Sequence, residues 1–495
     1  MCGILLIDSA QELSPVRIAR AECYLRHRGP NLLRQWHKGR IRIWHSVLHI
    51  TGDADYYHTH HDDFCAFAGE VYNYRELGYH SDAWCVHDTV RSRPGHLRQL
   101  AGPSSWIYST DEFVCYATDP QGERHLYRYQ DADTTIVASE VALILALVDA
   151  EFDPMPYQNK TWTMLTQTPY RGIEKLEPGR LYINHAAAHI TDSVFNWCAP
   201  AAYPSVRAAA EEFSMLWRDV MRSMQPQEAV TVSFSGGIDS GLIAAALPTA
   251  DLLAIDMIGK DPNIAMLSTQ LTTPQLAQLN TLPVTLENYA ANYREMIEHT
   301  RMPAQSWSHV GKWLVAKHAG RRIVFTGAGA DELFGGYAVY QQLDYSLERS
   351  HSPYSSHHDD QLWRRCLDAG HGDARSATLL LDYWHQIIGC DSPGLDRAAG
   401  AWGRETRNPF MHPRVMRFAL ALPWQLRVAD TTKPVLRRLW EMSWPDRVAL
   451  PKQGFAGHAN DSLPWLGVKY TSTADRHRDW QEIAQLSFYE YCRTN

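Results

Sequence analysis

The sequence predicts an α/β chain in two parts: stacked sheets first, then a parallel sheet wrapped by helices and followed by a largely helical C-terminal portion. Three observations carry this. From Cys2 to about Trp197 the text is a series of short strand-like runs between turn residues, such as Ile41 to Trp44, Phe64 to Phe67, Phe113 to Tyr116 and Thr134 to Val137. Cys198-Ala199-Pro200-Ala201-Ala202-Tyr203-Pro204 then reads as a small-residue linker. Beyond it a helical run, Val206 to Met224, leads to the apolar strand Ala229 to Phe234. The strands Leu252 to Ile258, Pro283 to Leu286 and Arg322 to Phe325 follow with helices between them, the alternation of a parallel sheet. The expected domains are residues 2–197 and 205–495. From Gln341 to Ser443, Trp, Leu and Ala recur at helix-packing intervals, which marks core.

The densest chemical signal is Ser235-Gly236-Gly237-Ile238-Asp239-Ser240, placed between an apolar strand and the helix-forming run Gly241 to Leu247. Strand, glycine turn and helix in that order aim backbone N–H groups and the positive end of a helix dipole at one point, which suits phosphate. The serines add hydroxyl donors. Asp239 is out of place in a phosphate cradle unless it holds Mg²⁺ against the phosphates. A plain Gly-Gly turn capped by Ser240 is the bland alternative. No Gly-Lys-Ser/Thr follows, so this is not a Walker loop.

The second signal is Met1-Cys2-Gly3. Removing Met1 would leave a thiol and a free α-amine on one residue, and an amine titrating near pH 8 can serve as that thiol's general base. By itself, Cys2 reads more readily as a buried structural thiol.

Composition is that of an enzyme-sized globular chain: 495 residues, 45% hydrophobic and 21% charged, enough for cores without staples. With 47 basic against 55 acidic residues the net charge is −8, which argues against nucleic acid as a partner. No apolar run approaches the roughly 20 residues of a membrane span, so no membrane partner is expected and the expected location is the cytoplasm. Nine cysteines with no Cys-x-x-Cys pair fit a reduced compartment without structural zinc. His58-Thr59-His60-His61-Asp62-Asp63 reads as a polar turn before a strand, and His351 to Asp360 as a solvated loop.

The order of the remaining motifs matches a family. His27-Arg28-Gly29-Pro30, Ala68-Gly69-Glu70-Val71-Tyr72-Asn73, His87-Asp88-Thr89-Val90, Leu100-Ala101-Gly102 and Val137-Ala138-Ser139-Glu140 follow Cys2 in the order of class II glutamine amidotransferase domains. The Ser235 loop resembles that of ATP pyrophosphatases, which release AMP and pyrophosphate. With Thr326-Gly327-Ala328-Gly329-Ala330-Asp331-Glu332-Leu333-Phe334-Gly335-Gly336-Tyr337, nearly the whole chain resembles the glutamine-dependent asparagine synthetases. The resemblance implies an N-terminal αββα sandwich of the Ntn-hydrolase type and an ATP-pyrophosphatase domain. It also implies L-glutamine and a carboxylate as substrates, with ATP and Mg²⁺, and leaves a homodimer open.

Carried over residue by residue, the resemblance makes Cys2 the nucleophile on the glutamine amide. Gly69 becomes an oxyanion donor, and Glu70 and Asp88 become holders of the substrate amine. Ser235, Gly236, Gly237 and Ser240 would cradle pyrophosphate, with Asp239 and Asp331 on Mg²⁺. Thr326 and Gly327 would contact AMP, Ile258 would pack near adenine, and Lys452 in Pro451-Lys452-Gln453-Gly454-Phe455 would stabilise charge on the acyl-adenylate and pyrophosphate.

Three departures qualify the match. Val47 stands where the family has an arginine for the glutamine carboxylate, with His49 as a candidate substitute. Ala68 replaces an asparagine donor of the oxyanion hole, a loss on the order of a hundredfold in rate if nothing compensates. Ala328 stands where asparagine synthetases have Glu and relatives that close β-lactam rings have Tyr, so the substrate there is not handled as aspartate is. The leading expectation is a glutamine-hydrolysing ligase that adenylates and amidates aspartate or a specialised-metabolite carboxylate. A lactam- or macrolactam-forming ligase with an impaired glutaminase, like β-lactam synthetases or lasso-peptide cyclases, is the alternative. A noncatalytic nucleotide-binding scaffold is the third reading.

Overall fold

The computed structural model describes residues 1–50, 57–60, 63–153, 165–190, 192–198, 201–257, 271–306, 308–342, 360–444 and 446. Ile258, Lys452 and the stretch 351–359 fall outside them. The chain divides into two compact units. The first comprises Met1–Asn196 with His299–Met302 and Ala399–Glu405; the second comprises Trp197–Glu298, Pro303–Ala398 and Thr406–Asn495.

The first unit contains two six-stranded sheets. One runs, in order, β10 (Ile173–Lys175), β8 (Tyr127–Gln130), β9 (Thr134–Ala138), β1 (Gly3–Ser9), β3 (Ile41–Val47) and β2 (Leu32–Lys38). The other runs β12 (Ala186–Ile190), β11 (Arg180–Ile183), β7 (Val114–Thr118), β6 (Ser104–Ser109), β5 (Asp63–Gly69) and β4 (Tyr57–His60). Alternation of side chains decides what each face does. Ile4 and Leu6 of β1, Phe64, Ala66 and Ala68 of β5, and Ile107 of β6 share one buried cluster with Cys2, so these faces form the layer between the sheets. The opposite residues of the second sheet, Cys65, Phe67, Trp106 and Tyr108, pack with Ala83, Cys85 and Val86 of α2 (Asp82–Ser92). Helices α1 (Pro15–Arg28) and α3 (Val141–Leu147) pack together beside the first sheet, with α1 against β1 and β3. Helix, sheet, sheet, helix is the αββα sandwich that the sequence predicts.

One local expectation changes. Tyr57–His60 is a strand, not a turn: it pairs antiparallel with β5 in the register Tyr57↔Ala66 to His60↔Asp63. A polar composition is compatible with the last strand of a sheet, where one edge needs no apolar neighbour.

The second unit is built on a five-stranded sheet in the order β15 (Leu279–Val284), β14 (Asp251–Met257), β13 (Thr231–Ser233), β16 (Ile323–Phe325), β17 (Glu405–Arg407). The pairings β15·β14, β14·β13 and β13·β16 are parallel, as the strand and helix alternation predicts. Helix α4 (Val206–Met224) starts at Ser205, whose side chain accepts from the Ala208 N–H at 3.2 Å, the usual N-cap arrangement. Its buried residues, Ala209, Ala210, Phe213, Trp217, Val220, Met221 and Met224, recur every three or four positions and form one apolar stripe. The segment 360–444 is mostly helical, including a nine-residue π-helix, Tyr383–Asp391. Among the described residues no helix is long and apolar enough to cross a membrane.

Candidate active sites

In the first unit Cys2 sits immediately before β1 and is only 9% exposed. Met1 is also buried, its α-amine donating to the Arg404 carbonyl at 2.7 Å. Burial pushes that amine down to about 5 and the Cys2 thiol up to about 11. Two influences work the other way on the sulfur, the charge of the terminal amine and a hydrogen bond from the Leu48 backbone N–H. Arg28 donates to the Cys2 carbonyl at 3.2 Å and to Glu140 at 2.7 Å, so the backbone of Cys2 is tied to a buried ion pair.

Gly69 ends β5 with φ +131°, and a Cβ there would lie 2.0 Å from the Pro103 carbonyl oxygen. Gly102, at φ +146°, would collide with the Glu70 carbonyl oxygen at 2.2 Å. The two strand ends therefore interlock through positions that only glycine can occupy. The Glu70 N–H donates to Pro103 at 2.8 Å and the Tyr72 N–H to Ala101 at 2.7 Å, fixing the loop that carries Glu70, which is itself buried.

Asp82, which the sequence reading passed over, belongs to this group. It begins α2, accepts from the Ala83 N–H at 2.8 Å and from the Val71 N–H, and acts electrostatically on Cys2. Burial is the largest cause pushing its carboxyl up to about 6. Its sequence signal was present in Ser81-Asp82, where Ser81 caps the helix by accepting from the Trp84 N–H at 3.2 Å. Asp88 lies six residues on, ~9 Å along the axis at 1.5 Å per residue. It accepts from the Tyr79 hydroxyl at 2.7 Å and from Ser92 at 3.1 Å, so its observed partners are in its own helix and the loop before it. Ala68 is buried and apolar, and His49 is exposed with its backbone N–H on Asn31.

In the second unit the Ser235 loop links β13 to α5 (Ile238–Ala246) as predicted. Gly236 has φ +74°. The Ser240 hydroxyl accepts from the Ser235 N–H at 3.2 Å, lies 3.2 Å from the Ser235 hydroxyl and donates to the Gly237 carbonyl at 3.3 Å. Those bonds fold the turn back onto the first turn of α5 before any ligand arrives.

The two predicted metal ligands converge. Lys433 Nζ lies 2.7 and 2.6 Å from the two carboxylate oxygens of Asp239 and 2.5 Å from Asp331 Oδ1. Burial alone would lower the lysine, but Asp239 and then Asp331 push it up to about 12. The surroundings fit tightly: a Cβ on Gly336 would lie 1.9 Å from Asp331 Oδ1 and 2.2 Å from Lys433 Cε. Two hard oxygen donors already sharing one cation make a donor set that suits Mg²⁺. Lys433 was not legible as a site residue, because a lone lysine before Pro434 looks like any solvated helix start. Its φ of +52° is the structural mark, one invisible in sequence.

Thr326 follows β16, and its hydroxyl donates to Asn408 Oδ1 at 2.5 Å. Gly327 follows, so close to Asp239 that a Cβ would meet the Asp239 Cβ at 2.9 Å. Ser235, Ser240, Asp239, Gly327 and Asp331 are thus gathered at the carboxyl ends of β13 and β16, where parallel sheets bind ligands. Ala328 is half-buried, and Glu332 is buried and accepts from the Tyr337 hydroxyl at 2.5 Å.

A model of the asparagine synthase family matches residues 214–473, just over half of the chain. The chain belongs to the asparagine synthase family. Among its relatives is a Mycobacterium bovis protein named, provisionally, a glutamine-hydrolyzing asparagine synthetase, 27% identical over 92% of this chain and 87% of that protein. Asparagine synthetase [glutamine-hydrolyzing] 1 of Bacillus subtilis is 22% identical over 69% of this chain and 60% of its own length. Amidase chyE of Penicillium rubens is 24% identical over 49% of this chain and 40% of its own length. The relatives of the chain thus include a protein with a name other than asparagine synthetase.

Proposed function

We propose that the chain is an ATP-dependent amidotransferase that releases ammonia from glutamine at Cys2 and uses it to amidate an adenylated carboxylate. The observation that carries this reading is the convergence of Asp239 and Asp331 beside the Ser235 loop, within a family of ATP-using ligases. Mg²⁺ held by the two aspartates would offset phosphate charge, and the Ser235, Gly237 and Ser240 donors would orient pyrophosphate for departure. The carboxylate oxygen attacks the α-phosphorus, pyrophosphate leaves, and ammonia then displaces AMP from the acyl carbon.

In the first unit, loss of Met1 would give Cys2 its own amine as base and remove a cover from the sulfur. The Gly69 N–H would stabilise the oxyanion of the attacked amide, with Glu70 and Asp82 available to the substrate ammonium. Asp88 remains the sequence-based candidate for that role, and Ile258 and Lys452 for adenine contact and adenylate stabilisation. Aspartate is the default acceptor. Ala328, which can neither accept a proton nor pair with an ammonium, favours a specialised-metabolite carboxylate instead.

The experiment is product mass spectrometry with ATP, Mg²⁺ and a panel of carboxylates, on the parent chain and Cys2→Ala. The expected result is AMP, pyrophosphate and an amide, with Cys2→Ala losing glutamine-driven turnover and keeping ammonia-driven turnover. A parent chain that ignores glutamine and cyclises an amine-bearing substrate would instead establish the lactam reading, which the apolar Ala68 favours. Absence of pyrophosphate release with every carboxylate would sink both.

A further inference from the structure

Three ligand atoms that neither proposed reaction uses meet in the first unit. His27 lies in the last turn of α1, Glu140 immediately precedes α3, and His299 comes from the short segment His299–Met302 that groups with this unit. The two imidazole Nε2 atoms are 3.1 Å apart, and His27 Nε2 is 3.6 Å from Glu140 Oε2. All three ligand atoms lie within 4.8 Å of one another. For a tetrahedral ion with metal–nitrogen bonds of about 2.0–2.1 Å, neighbouring ligand atoms stand about 3.3 Å apart. The His27–His299 and His27–Glu140 separations lie on either side of that value.

The surroundings complete the argument. Arg28 donates to Glu140 Oε1 at 2.7 Å and leaves Oε2 on the side of the imidazoles, the kind of outer partner that orients a ligating carboxylate. The Glu140 side chain is 2% exposed and that of His27 is 20% exposed, so the carboxylate is fixed while the imidazole edge is reachable by water. Two imidazole nitrogens and one carboxylate oxygen select borderline ions such as Zn²⁺ and Co²⁺ over Mg²⁺ or Ca²⁺, which take oxygen donors. The rings of His27 and His299 are tilted by 54° rather than stacked, with their Nε2 atoms 3.1 Å apart.

We propose that His27 Nε2, His299 Nε2 and Glu140 Oε2 form a binding site for one divalent ion of the zinc class, with the fourth position open to water. The ion would cross-link three segments distant in sequence and would stabilise the unit by binding only its folded form. The competing arrangement is a hydrogen bond between two neutral imidazoles with no ion.

The test uses the full chain, dialysed against EDTA and titrated with CoCl₂, then loaded with ZnCl₂ and analysed for metal after gel filtration. One Co²⁺ per chain is expected, with the intense visible absorption of a four-coordinate site, and Zn²⁺ should raise the melting temperature. His299→Ala and His27→Gln, each checked for folding by circular dichroism, should each weaken cobalt binding by more than about a hundredfold, beyond the loss typical of an outer partner alone. A second grouping, His309, Cys390 and Asp391, supplies the control, since cobalt there would show a near-ultraviolet thiolate band that Cys390→Ser removes. Failure of the parent chain to bind cobalt overturns the proposal. So does binding unchanged in a folded His299→Ala or His27→Gln chain, or a spectrum abolished by Cys390→Ser.

Discussion

In the first unit the candidate nucleophile is restrained by burial, which favours its neutral thiol; in the second the candidate metal ligands are restrained by a counter-charge. Cys2 is buried with its thiol pushed up to about 11, while Asp239 and Asp331 share the ammonium of Lys433, itself pushed up to about 12. A thiol can be silenced by desolvation because its neutral form is stable in an apolar setting. Two neighbouring carboxylates cannot be handled in that way without losing the charge that their chemistry needs. On the proposed function, the contrast teaches that the two sites would need different preparation: a covalent change at one, an exchange of cations at the other.

The sharpest way to break the comparison is Lys433→Met. Removing a buried partner strands two carboxylates, and the expected loss is about 3–5 kcal/mol in urea unfolding. Millimolar MgCl₂ should recover part of it in the variant and add little to the parent. A loss below about 1 kcal/mol, or one indifferent to magnesium, would show that the lysine is not the counter-charge.

The next effect is catalytic. In Gly69→Ala the new Cβ would lie against the Pro103 carbonyl oxygen, shifting the N–H proposed as oxyanion donor. Glutamine-driven turnover should fall by about 10²–10³ while ammonia-driven turnover holds. Equal decline of both would place the damage in folding instead.

The smallest effect concerns protonation of the thiol. Only the thiolate reacts with iodoacetamide, so in a chain retaining Met1 the Cys2 alkylation rate should climb about tenfold per pH unit until about pH 11. A chain beginning at Cys2 should react faster at pH 8 and level off earlier, as peptide mass mapping would show. Identical profiles would mean that Met1 does not mask the sulfur.

Much of this architecture was legible because periodicity is a direct print of burial. The helix Val206–Met224, the strand before Ser235 and the strands β14 and β16 follow from apolar spacing, whereas β15 runs Leu279–Val284, earlier than the expected Pro283–Leu286, because its polar residues Asn280 and Thr281 are held by pairing with β14 rather than by an apolar pattern. Tyr57–His60 was missed because backbone pairing with β5 holds a polar strand that spacing cannot reveal. In the sites, glycines and acids within contiguous motifs were readable. Lys433 and Asn408 were not, since each reaches its partner across a long sequence separation. Asp82 was hidden by a second acid, Asp88, one and a half turns along the same helix.

Lys433 also bears on how the protein is made. A pocket that brings its own positive charge can close during synthesis whatever the cell's supply of free magnesium, so maturation of this unit need not wait for a mineral. On the proposed function the ion would be delivered already bound to its nucleotide, and each incoming molecule would first have to displace a tethered rival. Such a pocket should ignore bare magnesium salts and answer to the nucleotide complex, a form of selectivity written into a single flexible arm.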